Sequence, residues 1–166
     1  MLAALEIHVA DAMAARLAGL EGEGGAPLFA AVLSALDAAA LTAWPKTPAA
    51  LVLPVSDEAE ESTTRRVENA PVQHVVRIGV SLMLAAPNDR TGARGRERLS
   101  PLLARARRGL AGWTPPGQRE VLSFRRGRLV SLEDARLQWL DEYEIRRVAR
   151  AGVVEVGDAT SKEAAL

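Results

Sequence analysis

Cysteine is absent from this chain; histidine occurs twice (His8, His74), lysine twice (Lys46, Lys162), and three tryptophans, one tyrosine and two phenylalanines are the whole aromatic content. Without cysteine there is no disulfide, no thiolate nucleophile and no sulfur ligand for a metal, which fits a reducing compartment. Two histidines would leave a zinc site to be completed by carboxylates from unrelated places. No uninterrupted apolar run approaches the roughly 18 residues that span a bilayer, and the stretch after Met1 lacks the basic start and apolar core of a signal peptide. The chain reads as soluble and non-exported. The aromatics do not interleave with the arginines, so no stacking platform for bases is indicated.

What the chain does have is charge of both signs, unevenly placed. The net charge is zero over 166 residues. Residues 1–71 nevertheless hold ten acids against four bases, a net of −6, while residues 88–150 hold fifteen arginines against eight acids, a net of +7. Such a split suits head-to-tail contact between copies, or a basic face near a polyanion. The length suits one domain with a core that needs no metal or disulfide.

Periodicity supplies the elements. Val9, Met13, Leu17 and Leu20 recur at helical spacing, and the pattern breaks between Gly22 and Pro27. Leu28 to Leu33 is short and apolar and predicts a strand. Ser34 is placed to cap a second helix ending near Trp44, with Asp37 in its third position. Ala49 to Leu53 predicts a buried strand stopped by Pro54. Val55 to Pro71 is polar and predicts a long loop or an extended hairpin arm, a length usually functional or disordered. Val72, His74, Val76, Ile78, Val80, Leu82 and Leu84 alternate with polar or small residues, the clearest strand in the chain. Pro87 to Arg96 predicts a basic loop, followed by a helix with Leu99, Leu102, Leu103, Ala106 and Leu110 on one face, Ser100 as cap and Pro101 in its first turn. Beyond it Leu122 and Phe124 predict a strand, Arg125-Arg126-Gly127-Arg128 a turn, and Leu129 to Leu132 the returning strand. Leu137, Trp139, Tyr143 and Ile145 alternate as a final strand, with Asp141 on its inward face. The expectation is an α+β domain over residues 1–150, a mostly antiparallel sheet with two or three helices packed on one face and long polar loops or arms, followed by a loose tail over residues 151–166.

No residues assemble into recognisable chemistry. His74 lies among valines as a core or interface residue, and the Asp11 one turn from His8 is an ordinary helical neighbour. Asp57, Glu58, Glu60 and Glu61 lack the glycine and spaced ligands of a calcium loop. No nucleophile elbow or phosphate-cradling loop is present, and Gly92-Ala93-Arg94-Gly95 is followed by no Gly-Lys-Ser/Thr. Neither catalytic, metal nor cofactor-binding residues are assigned, and an enzyme is not expected. Candidate contact residues are Asp57, Glu58, Glu60, Glu61, Arg65, Arg66 and Glu68 on the polar arm, with Arg90, Arg94 and Arg96 of the basic loop. Arginine's planar fork pairs well with carboxylates, which favours subunit contacts over nucleic acid here. Trp113, Phe124, Gly127, Trp139 and Tyr143 are expected scaffold residues.

The order of these elements carries a resemblance. A helix ending in Leu110-Ala111-Gly112-Trp113-Thr114-Pro115, the Gly127-Arg128-Leu129-Val130 segment and Trp139 four residues before Tyr143, after a long polar arm and a long alternating strand, resemble the tail terminator, or tail completion, proteins of long-tailed bacteriophages and prophages. The likeness covers roughly residues 1 to 148. It implies a structural virion protein, assembled in the host cytoplasm and placed at the head-proximal end of the tail. There it would form a ring, typically of six copies, on the tail tube, stop tube polymerisation and contact the head-tail connector or neck. Genomic DNA would pass through the ring without sequence-specific binding. The alternatives are another head-tail connector or tail-tube component, a DNA-binding regulator using Arg90 to Arg98, and an enzyme with an unrecognised site.

Overall fold

In the computed structural model, residues 3–34, 44–60, 72–86, 89, 92–133 and 135–149 are described. Helix α1 (Ala3–Ala18) buries Val9, Met13 and Leu17, four residues apart and so stacked on one face. Five strands follow the helix or flank the second one: β1 (Ala31–Ser34), β2 (Ala49–Glu60), β3 (Val72–Ala85), then helix α2 (Ala93–Leu110), β4 (Ser123–Glu133) and β5 (Arg136–Ala149). They make one sheet in the order β1-β2-β3-β5-β4. β1 lies parallel to β2, and the other three pairs are antiparallel.

Both helices cover the same face. α1 packs on β1 and β2, and α2 lies against β3 and β4. The face beneath them consists of Ala50 and Val52 of β2, Val76, Ile78, Val80, Leu82 and Leu84 of β3, and Leu137, Tyr143 and Ile145 of β5, all buried. Leu99, Leu103, Ala106 and Leu110 of α2 close the core. Each large apolar side chain so buried favours the folded state by about 1.5–3 kcal/mol over leaving it in water. β3 is central, and Val75, Ser81 and Met83 on its opposite face are buried too.

Four boundaries differ from the sequence reading. β1 begins at Ala31, because Leu28 and Phe29 turn into the core as irregular chain, with the Ala30 amide donating to the Pro48 carbonyl. Ser34 is the last residue of β1 rather than a cap, and the helix expected after it lies outside the described residues. β2 does not stop at Pro54 but runs to Glu60: among the described residues β2 is itself an edge beyond Val52, and a bulge follows Pro54, the two settings in which a strand accepts proline. The polar arm therefore begins as strand, the extended-hairpin alternative. α2 begins at Ala93, not after the basic loop, and the Asp89 carboxylate accepts the Gly95 amide at 2.7 Å, satisfying one of its first-turn donors. Pro101 thus sits inside the helix.

The largest correction concerns Gly127. Arg125 to Arg128 is not a turn: β4 is one strand from Ser123 to Glu133 with bulges near Phe124 and Val130, and the chain reverses after Glu133. Upstream, the chain turns at a proline pair. Pro116 and Gly117 are the central residues of a turn in which the Gln118 amide donates to the Pro115 carbonyl at 3.0 Å, and Gly117, at φ 75°, supplies the left-handed residue a type II turn needs. Gly112 and Trp113 are then tied to Leu122 by two backbone hydrogen bonds of 2.8 Å. The tail expected over residues 151–166 lies outside the described residues.

Candidate interaction surfaces

The described acids of the arm all have partners within the chain. Asp57 lies opposite Val76 and its carboxylate is 3.2 Å from His74 Nδ1; Glu58 accepts from Arg77 at 2.8 Å; Glu60 faces Arg146 at 3.7 Å. Of these pairs the Glu58–Arg77 bridge is open to solvent, where such a contact is worth roughly 0–1 kcal/mol. Glu61, Arg65, Arg66 and Glu68 lie outside the described residues, as does Arg90. Arg94 and Arg96 are exposed on the first turns of α2. That helix start lies beside the Ala86 end of β3 while Glu60 pairs near its Val72 end, so the sheet holds the acidic arm and these arginines apart rather than in one patch.

Three further arginines of α2 are committed to the fold. Arg98 donates to the Ala85 carbonyl at 2.7 Å and Arg105 to the Glu21 carbonyl at 2.8 Å. Arg107 reaches through the layer to Asp141 of β5 with two parallel bonds of 2.7 Å, and the Trp139 indole N–H donates to the same carboxylate at 2.8 Å. Phe124 stacks on the Arg107 guanidinium, 4.5 Å from its ring centre, and meets Tyr143 edge-on at 5.6 Å. Phe124 is correspondingly half-exposed instead of buried. Trp113 is partly buried against the core under Arg16, whose guanidinium lies 4.8 Å from the ring centre. Asp141, only 1% exposed, is thus a paired charge, not a fault in the strand. Its hydrogen bond and charge raise the Arg107 pKa further above its ordinary value.

Tyr143 borders this network without joining it. It is fully buried, and among the described residues its hydroxyl has no hydrogen-bond partner. Burial, and then the Asp141 charge, push its pKa up, with Arg107 opposing. The folded protein therefore holds the neutral phenol, and its stability falls as pH rises past about 10, where tyrosine in the unfolded chain ionises. Tyr143→Phe should leave stability at neutral pH within about 1 kcal/mol of the wild type, or slightly above it, because a buried hydroxyl without a partner stabilises nothing. Melting curves between pH 7 and 11 should show less alkaline destabilisation in the variant; an equal alkaline loss would contradict the assignment.

The face opposite the helices carries a row of charges that pattern reading missed. Glu142 and Glu144 of β5 are buried although no helix covers them, because arginines lie over them: Arg126 holds Glu142 with bonds of 2.8 and 3.1 Å, and Arg125 approaches Glu144 at 3.1 Å. Arg128 and Arg146 add longer contacts of 4.0 and 3.7 Å. The Arg126 pKa is raised by its hydrogen bond to Glu142. The usable signal was the Glu142-x-Glu144 spacing, which puts both acids on one strand face.

The apolar exposure is also concentrated. Val121, Phe124, Leu129, Val130 and Leu132, on or next to β4, are all exposed, and among the described residues β4 pairs with β5 alone. At the other side Val55 is exposed on β2. Among the described residues no group of three histidine, aspartate or glutamate side chains is placed to hold a metal, and no helix is long and apolar enough to cross a membrane.

What these elements define is a small α+β protein: a mostly antiparallel five-stranded sheet with both described α-helices on one face and, among the described residues, two charged edges left open. The sequence profile of the phage tail terminator protein family matches residues 12–152, and the chain belongs to that family. It is a structural protein of phage tails. Among solved structures, a chain from the virion of a native gene transfer agent particle matches at 14% identity, with 70% of this chain and 78% of that chain covered and a TM-score of 0.43. No curated protein matches the chain.

Proposed function

We propose that this protein caps the head-proximal end of a phage tail tube as a hexameric ring, ends tube polymerisation, and presents a surface to the head-tail connector while genomic DNA passes through its lumen. The observation that carries the reading is the family match over residues 12–152. The fold supports it in a specific way. A single-layer sheet with helices on one face and strands up to 14 residues long is a wall segment about 45 Å tall. The hairpin of β2 and β3 extends the wall into an arm, and to this arm, with residues 61–71 between its strands, we assign the grip on a tube or a neighbour. The role is one of assembly, so its contacts and not a catalytic centre do the work. Of the arginines the DNA-binding regulator would use, Arg98 is held by the Ala85 carbonyl while Arg94 and Arg96 are exposed, so what favours the tail role over that alternative is the family match.

The test is assembly. Tail tube protein polymerised with the purified wild type should give tubes of limited length bearing density at one end in negative stain. A variant in which residues 61–71 are replaced by a short Gly/Ser turn should remain folded by circular dichroism and no longer limit length. Tubes that grow equally long with and without the wild-type protein would overturn the capping role, and a variant that caps normally would remove the arm from it.

A further inference from the structure

Among the described residues the sheet has two open edges, and they differ in charge. β4 has a partner on one side only, leaving its Ser123–Glu133 edge open among the described residues; it carries Arg125, Arg126 and Arg128 against one acid, Glu133. Among the described residues β2 is covered by β1 only as far as Val52, so Leu53 to Glu60 is the second open edge there; it carries Asp57, Glu58 and Glu60 and no base. The acid–base split along the sequence is therefore a polarity across the sheet, since β1 and β2 come from the acidic half and β4 and β5 from the basic half.

Edge strands in soluble proteins are ordinarily kept short or guarded by lysine, proline or charge, because unpaired N–H and C=O groups recruit other strands. β4 is eleven residues long, has no lysine or proline, and exposes Leu129 and Val130 at 50% and 43%. Three of its arginines share two carboxylates, Glu142 and Glu144, so guanidinium N–H groups remain to be satisfied. The open part of β2 exposes Val55 at 45% and the carboxylates of Glu58 and Glu60 at about half. Direction also agrees. Three antiparallel steps separate β2 from β4, so β4 runs opposite to β2. Two copies set side by side in the same orientation then bring β4 of one antiparallel to β2 of the next, which continues the pairing already present in the sheet.

We propose that β4 of one copy docks along Leu53–Glu60 of β2 in a second copy, head to tail. This proposal rests on the ring reading above and names the contact that would close the ring. A two-fold contact of β4 with β4 is disfavoured because it sets Arg125, Arg126 and Arg128 against their own copies, whereas the head-to-tail contact sets them against Glu58 and Glu60 and lays Leu129 and Val130 near Val55. Contacts between different surfaces on each copy generate rings when the rotation closes.

The absence of cysteine makes the test direct. Val55→Cys and Val130→Cys, made separately in the full chain, are each treated with a flexible bis-maleimide, alone and mixed. The expected result is a covalent dimer in the mixture and none in either variant alone, with the double variant giving a ladder. Dimers from Val130→Cys alone would overturn the proposal in favour of a two-fold contact. A protein that limits tube length yet gives no mixed product would overturn this contact and leave the capping role standing; one that crosslinks as expected but does not limit tube length would do the reverse. Val130→Lys, which guards the edge without touching the core, should lose self-association in native mass measurements at an unchanged melting temperature, and retained self-association would overturn the proposal.

Discussion

Arg107→Ala is expected to lower the stability of the folded protein by about 3–5 kcal/mol, the usual cost of removing one partner from a buried ion pair. Asp141 lies on the sheet face beneath α2, 1% exposed, and takes three hydrogen bonds, two from Arg107 and one from Trp139. Without the guanidinium the carboxylate keeps a single neutral donor in a setting where an unpaired charge is costly to bury. The same change strips the cation from the Phe124 ring, 4.5 Å away, and opens the space between α2 and β4. Arg107→Lys should recover only part of the loss, because an ammonium group cannot make the paired fork geometry. Urea unfolding followed by circular dichroism measures all of this. A loss under 1 kcal/mol for the alanine variant would show that the pair does not hold the two layers together.

Gly127→Ala separates local propensity from tertiary packing by the sign of its effect. In an ordinary strand interior, alanine for glycine stabilises by about 0.5–1 kcal/mol through the unfolded chain's entropy. Here a Cβ on Gly127 would collide with Asp141 Oδ1, lie 2.7 Å from Arg107 Nη2 and 2.9 Å from Trp139 Nε1. Both nitrogens donate to that same Oδ1, so none of the three can yield without disturbing the network. The expected result is a loss of about 3 kcal/mol, the upper end of what an added methyl costs in a packed interior. The loss should shrink in an Arg107→Ala background, where one of the three obstacles is gone, so the pair should be less than additive in a double-mutant cycle. A stability gain from Gly127→Ala would mean that β4 does not lie this close to β5.

The two corrected strands show why part of the fold could not be read in advance. Asp57 to Glu60 looks like loop because no hydrophobic face appears, yet each acid that enters β2 meets a basic partner from another strand: His74, Arg77 or Arg146. Arg125-Arg126-Gly127-Arg128 looks like a turn for the same kind of reason. Its arginines are strand residues because Glu142 and Glu144 lie across from them, and its glycine is there to clear Asp141. In both cases the deciding partner is distant in sequence and charged, and neither property leaves a period-two apolar signal. Of the contact residues expected from sequence, Asp57, Glu58 and Glu60 share one strand end, Arg94 and Arg96 sit on the far helix start, and the exposed apolar edge of β4 was not among them.

The sequence by itself determined the elements whose burial has a regular period. α1 follows from Val9, Met13 and Leu17, β3 from Val76 to Leu84, β5 from Leu137 to Ile145, and with them come the α+β class and the resemblance that the family match bears out. The absent cysteines likewise removed disulfides, thiolate nucleophiles and sulfur ligands from a residue count alone. Tertiary structure alone decided where the charges go. It turned a polarity along the chain into a polarity across a sheet, buried Asp141, Glu142 and Glu144 under arginines, and left, among the described residues, two edges open with opposite charge. The physical reason is that apolar burial is governed by local periodicity, whereas an ion pair exists only once folding has brought two remote strands or layers to hydrogen-bonding distance.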